Sequence, residues 1–178
     1  MAILGKTQFV LDHKFDRRSS RHSMNGFGHV FHCHHYASLY TQLAEDASFV
    51  DARKLLADCS EDTFYPFLRQ YYERHETTDP WERLELASQY YAASGLGAMQ
   101  IRNAGPDSGE VLLAHSHVDE GWMKKWGKNS TPVNHLTRGY IAACFSTAFD
   151  RPSRSFEVRE VESLVTGAER SRFVVVVK

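Results

Sequence analysis

The chain is short of the features that mark out many functional classes. No stretch approaches the roughly 20 apolar residues that a membrane-spanning helix needs, and the run Phe173 to Val177 is only strand-length. No charge of one sign is in surplus. Twenty-one Lys and Arg against 22 Asp and Glu leave a net charge of −1, so there is no basic footprint for phosphates and no nucleic-acid partner is expected. Three widely spaced cysteines do not make a disulfide framework. The N-terminus lacks the positive region, apolar stretch and cleavage site of a secretory signal, and a cytoplasmic setting is expected. Gly95-Leu96-Gly97 lacks the third glycine and the strand-to-helix context of a dinucleotide fingerprint. There is no CxxC pair, no HExxH and no Ser-His-Asp signature, no internal repeat and no low-complexity tract.

What is present fits one domain. The 178 residues are enough to bury a real core, and 42% hydrophobic against 24% charged residues is ordinary for a globular chain. Aromatics are plentiful (11 Phe, 8 Tyr, 3 Trp), and ten histidines stand out, several of them clustered.

Residues 4–11 read as a short strand or lead-in, and the polar, basic stretch 12–23 as a loop or flexible arm. Periodicity predicts a long helix over 25–47, capped by Asn25 or Ser23, and further helix over 49–59 and 61–75, with Pro66 tolerated or kinking it. Asp79-Pro80-Trp81-Glu82 is a helix start: a capping Asp, Pro in the first turn and Glu three after the cap. Gly95 and Gly97 end that helix, and the period then changes to alternation. Strands are expected near 98–103, 110–117, 156–164 and 171–177, with a helix over 132–149 crossing between the two hairpins. The fold class is therefore α+β, a four-stranded antiparallel sheet flanked by helices. The domain is placed at 25–178, after an arm at 1–24.

The sharpest functional signal is His29-Val30-Phe31-His32-Cys33-His34-His35-Tyr36. On a helix, His29, His32, Cys33 and Tyr36 share one arc, which Leu39, Tyr40 and Leu43 continue. Imidazole and thiolate ligate zinc, iron or copper, and imidazole, thiol and phenol also serve proton transfer. Packing alone is the competing explanation, because a buried His with a partner and a buried Cys are both common. In the second half, His115 and His117 would share one strand face, with Asp119 or Glu120 able to orient an imidazole. His135 falls in the first turn of a helix, where the dipole disfavours its charged form. Gly139, Ala142 and Ser146 follow it as a small-residue face. Tyr71, Tyr72, Tyr90, Tyr91, Phe64, Phe67 and Trp81 could wall an apolar pocket or simply be core.

From about Tyr90 to Val177, half of the chain, the sequence resembles the 4-vinyl reductase family of small-molecule-binding domains. The matching parts are Pro132-Val133-Asn134-His135 leading to Gly139-Tyr140-Ile141-Ala142-Ala143, and Glu157 to Phe173. The family's close is an acidic residue, a cysteine three later, a glycine four after that, then a cysteine and an Arg-Phe pair. Glu160, Gly167, Arg172 and Phe173 match, whereas Ser163 and Ser171 stand at the cysteine positions. In phenol-sensing members those cysteines and the acidic residue help to bind zinc beside an aromatic-ligand pocket. A third cysteine precedes the long helix, where this chain offers Asn134 nearby. The resemblance thus implies the fold, with kinship to the TRAPP vesicle-tethering subunits and frequent dimerisation, while serine hydroxyls imply that this zinc site is not built. The family name implies vinyl reduction, but no flavin or nicotinamide fingerprint is present.

The expectation is a domain enclosing an apolar or aromatic ligand, with Tyr36, Tyr40, Tyr90, Trp122 and His135 at the pocket. His29, His32, Cys33 and His117 form the candidate metal set, for zinc, iron or a haem. Two alternatives stay open: a metal- or haem-dependent enzyme acting on such a ligand, and a dimeric interaction module with a vestigial pocket. A homodimer through helical surface of the first half is expected.

Overall fold

Residues 7–178 are described by a computed structural model. Three short strands come first: β1 (His13–Asp16), β2 (Arg21–Met24) and β3 (Phe27–His29). Three helices follow, α1 (His34–Asp46), α2 (Ala52–Arg74) and α3 (Pro80–Ala93). The second half is β4 (Gly97–Arg102), β5 (Ser108–Ser116), α4 (His117–Trp126), α5 (His135–Ala148), β6 (Phe156–Glu162), a 3-10 turn at Leu164–Thr166, and β7 (Ser171–Val177).

In the second half the expected four-stranded sheet is present. The four strands form one antiparallel sheet in the order β4-β5-β7-β6, and α5 connects the two hairpins. Burial alternates along β7, where Ser171, Phe173 and Val175 face inward. Helix α5 is the core of the domain. Every residue from Gly139 to Ala148 is buried, as expected of a helix covered on all sides. The sheet covers one side and α2 the other. At the α2 crossing a Cβ on Gly139 would lie 1.9 Å from the Ala57 carbonyl oxygen, so only glycine allows this approach. Ser60 donates to the Leu136 carbonyl at 2.7 Å across the same contact. Asp79 caps α3 by accepting from the Glu82 N–H at 2.9 Å, with Pro80 at the helix start.

The first half corrects the sequence reading. The predicted helix over 25–47 begins only at His34, and residues 25–33 are a turn, a strand and an extended link. The cause is Asn25-Gly26, with φ of 51° and 90°, which forms the two-residue hairpin joining β2 to β3. Positive φ at both central residues suits the twist of a tight hairpin, and Asn-Gly is its strongest sequence signal. The stretch 12–23, expected as a loop or arm, carries β1 and β2. Asp16 accepts from the Arg18 N–H and the Ser19 hydroxyl to fold their connecting turn. Of the lead-in at 4–11, residues 4–6 lie outside the described residues, and 7–11 are extended without being a strand. Phe9 stacks on Tyr71 with ring centroids 4.7 Å apart, and Thr7 bonds Glu82. The two helical stretches on either side of residue 60 are one helix, α2, with Pro66 inside it.

Helix α4 went unpredicted. Ser116 caps it by accepting from the Asp119 N–H at 3.2 Å. His117 therefore opens a helix and does not share a strand face with His115. The spacing Ser116-x-x-Asp119 ahead of Trp122 is a helix-start signature. Among the described residues no helix is long and apolar enough to cross a membrane.

Candidate functional site

A cavity of about 530 Å³ lies where the two halves meet. The β3 segment and the link after it, Phe27 to His32, form one wall. Tyr40 of α1 and Leu56, Cys59, Ser60, Thr63, Phe64 and Phe67 of α2 form a second. Tyr90, Ser94 to Leu96, His117 and Leu136 complete it from α3, its C-terminal turn, α4 and α5.

The lining separates into two ends. Phe67 stacks on Tyr90 at 4.2 Å between centroids, while Phe27 meets Phe67 at 4.9 Å and Phe64 meets Tyr90 at 6.1 Å. This end is aromatic. At the other, the His32 ring lies 5.4 Å from His117 and 6.4 Å from Tyr40. Among the described residues no Asp, Glu, Lys or Arg lines the cavity. Burial, with other histidines nearby, pulls His29 and His117 below the ordinary imidazole range, and burial pushes the Tyr40 phenol up. All three are thus neutral near pH 7. Two lining residues carry buried atoms without a hydrogen-bond partner among the described residues, His117 Nε2 and Ser94 Oγ.

Five of the nine predicted site residues line this cavity: His29, His32, Tyr40, Tyr90 and His117. The others lie elsewhere. Tyr36 is 61% exposed on α1. Trp122 is buried against Val133 and Val165 in a separate cluster. His135 is buried between α1 and α5, where its Nε2 donates to Glu45 at 2.6 Å and its Nδ1 accepts from Arg138 at 3.2 Å. Glu45 also pairs with Arg53, so His135 ties helices together. Sequence reasoning missed most of the α2 wall, because its periodicity reads equally well as core.

The metal set does not assemble. Among the described residues no three of His, Cys, Asp and Glu come together as a metal-holding group. With residues 29–33 off any helix, the i, i+3 and i, i+4 neighbours on which the set rested never form. Cys33 is exposed and lies 3.5 Å from His35 Nδ1, while His34 stacks on His117 at 4.4 Å.

A second polar group lies behind α4. Ser116, Asp119, Asn134, Ser163 and Ser171 are all completely buried, with Glu160 beside them. Asn134, the cap of α5, donates from Nδ2 to Ser116 Oγ at 2.9 Å and to Asp119 Oδ2 at 3.2 Å. The Ser171 hydroxyl donates to Asp119 Oδ2 at 3.1 Å, and the Asn134 N–H reaches Glu160 Oε2 at 3.3 Å. Burial, and then the neighbouring Asp119, push the Glu160 carboxyl up to about 7; burial raises Asp119 as well.

No family model matches the chain, and no curated protein matches it in sequence. Solved structures do match in fold. The phenol-responsive sensory domain of the transcription activator PoxR, solved with phenol, superposes with a TM-score of 0.78 at 14% identity, covering 93% of this chain and 84% of that one. This chain has the sensor's fold. A vinyl-4-reductase family protein from Methanocaldococcus jannaschii gives a TM-score of 0.51 at 16% identity, covering 80% and 77%. Subunit 3 of a trafficking protein particle complex from Naegleria fowleri, covalently bound to palmitic acid, gives 0.55 at 11%, covering 82% and 94%. The neighbours thus include both the reductase-family and the vesicle-tethering folds that the sequence resembles.

The zinc implied by the resemblance can be tested on the residues behind α4. Asn134, Glu160, Ser163 and Ser171 do converge, as zinc ligands must. Their donor set is wrong. Zinc takes thiolate, imidazole and carboxylate, and Glu160 is the one such group among the four positions. The Asn134 amide turns its N–H hydrogens, not its oxygen, toward Asp119 and Ser116. These residues do not fit zinc.

Proposed function

We propose that the chain is a small-molecule-binding domain whose cavity takes an uncharged aromatic ligand with one hydrogen-bonding group. The observation that carries this is the lining, aromatic at one end and polar at the other, where burial lowers the pKa of His29 and His117, and with no Asp, Glu, Lys or Arg among the described residues. A fully charged ligand would lose its hydration there with nothing to replace it. His117 Nε2, unpartnered among the described residues, supplies the polar contact for a ligand hydroxyl. The shared fold with a domain solved with phenol supports the same chemistry. Size extends it beyond a single ring. A cavity of about 150 Å³ suffices for benzene, so about 530 Å³ suits two or three fused rings. Tyr40, Tyr90, His29 and His32 complete the set of contacts we assign to the ligand.

Titration calorimetry with phenol, 2-naphthol and 2-naphthoate tests this. The expected result is saturable binding of both neutral compounds, 2-naphthol the tighter, and none of the carboxylate. Binding of the carboxylate at equal affinity, or no binding of either neutral compound, would overturn the reading. Phenol binding more tightly than 2-naphthol would overturn only the size argument.

The same reading includes self-association. Leu43, Phe49, Val50 and Leu55 line one groove on α1, the link after it and α2, and Phe49 is 92% exposed. An apolar surface of this kind supports a homodimer. Light scattering should give twice the 20.4 kDa of one chain; the mass of a single chain at micromolar concentration would refute it.

A further inference from the structure

The group behind α4 has a composition that packing does not explain. Six polar residues from five places in the chain meet where apolar side chains would bury at no polar cost. They join the end of β5, the start of α4, the cap of α5, β6 with the turn after it, and β7. We infer that this group is a metal-free junction. In it the Asn134 amide and the Ser116 and Ser171 hydroxyls do the work a metal ion would do, and water is the remaining partner.

Two observations carry the inference. The first is how the hydrogens are spent. Both Asn134 Nδ2 hydrogens go inward, to Ser116 and Asp119. Ser171 donates to Asp119 and accepts the Leu164 N–H at 3.1 Å. Ser116 accepts the Asp119 N–H at 3.2 Å. Asp119 Oδ2 thus accepts from both Asn134 and Ser171, and a cation placed there would meet the positive ends of those two dipoles. The second is what is left over. Asp119 Oδ1, Glu160 Oε1 and Ser163 Oγ are buried and have no hydrogen-bond partner among the described residues. Buried polar atoms without partners are costly, and a water molecule with two to four polar neighbours satisfies such atoms. Ser163 and Ser171 at the resembled cysteine positions, with Asn134 nearby, are thus a working alternative to zinc, not a damaged zinc site. Ser116 and Asp119 flank His117, so the junction also fixes the cavity's polar wall without metal.

Elemental analysis of the full chain, purified without chelator and dialysed against zinc, provides the test, together with thermal unfolding with and without EDTA. Substoichiometric metal and an unchanged midpoint are expected. Stoichiometric zinc or any other bound metal, or a midpoint that falls with EDTA and returns on adding metal, would overturn the inference. The converse experiment is the triple variant Asn134→Cys, Ser163→Cys, Ser171→Cys, which keeps Glu160. It should gain zinc, and with cobalt should show thiolate-to-metal absorption that the parent chain lacks. If the variant unfolds without zinc and refolds with it, the inference stands. If it folds but takes up no metal, the donor set is not what keeps zinc out of this group and the inference falls.

Discussion

The two sheets of this domain are built on opposite terms. The four-stranded sheet is held from within: α5 fills its face, and its close contacts admit no added atom at Gly139 or at Gly109, where a Cβ would sit 2.5 Å from the Phe145 ring. The three-stranded sheet is held at its turns. All four residues of β1 are exposed, and a Cβ on Gly28 would meet nothing within 4 Å. The cavity takes one wall from the thin, turn-dependent strap of β3 and the link after it and the others from helices α1 to α5, with no lining residue, among those described, from the four-stranded sheet. The rigid half defines the fold, and the strap is where a ligand pocket can vary at little cost to stability.

The largest effect that would break this contrast is at the α2–α5 crossing. Gly139→Val forces the helices apart at the Ala57 carbonyl and should cost about 3 kcal/mol or more by chemical denaturation. Gly28→Ala should cost less than about 0.5 kcal/mol. Equal losses would show that the two sheets do not differ in the way described.

The contrast also explains what could be read from the sequence. In the second half, burial sets the periodicity, so alternation at 98–103, 110–117, 156–164 and 171–177 placed the strands. Around the histidine cluster, Phe15, Val30, Phe31, Tyr36, Leu39 and Leu43 are all exposed, so burial sets no period there, and the helical spacing of His29, His32, Cys33 and Tyr36 was coincidental. The decisive local signal was Asn25-Gly26, two residues whose turn chemistry outweighs any arc drawn through them. The candidate site was half legible. Histidine and tyrosine announce themselves by chemistry, whereas Leu56, Thr63 and Phe64 on α2 carry nothing that separates cavity wall from core.

The next effect sharpens the rigid side. Glu160 has its folded-state pKa pushed from 4.5 up to about 7 by burial and by Asp119. Between those values the folded chain binds more protons than the unfolded one, so stability falls as pH rises through that window. The loss should be on the order of 3 kcal/mol. Glu160→Gln, which cannot ionise, should flatten this dependence and be the more stable form above about pH 7. Unfolding measured across the range checks it; a wild-type slope of the opposite sign would reject it.

On the cavity side, His117→Ala should weaken 2-naphthol binding roughly tenfold, about 1.4 kcal/mol, with little change in the unfolding midpoint. Its ring is half-buried and its Nε2 has no hydrogen-bond partner to lose among the described residues. Affinity unchanged in the variant would move the polar contact to Tyr40 or Ser94.

The smallest effect separates two tyrosines one helical turn apart. Tyr36 and Tyr40 both lie on α1, and sequence periodicity puts them on the same face. The His32 ring lies 6.4 Å from each, but of the two it is Tyr40 that lines the cavity. Tyr36 is 61% exposed, whereas the Tyr40 phenol is buried enough to have its pKa raised. Tyr36→Ala should therefore change neither stability nor 2-naphthol affinity by more than about 0.5 kcal/mol. Tyr40→Ala removes ring area from the cavity wall and should weaken binding by roughly tenfold. Calorimetry on the pair decides the matter: comparable losses would mean that the ligand reaches past the strap to the outer face of α1, and the division between rigid wall and thin strap would have to be redrawn there.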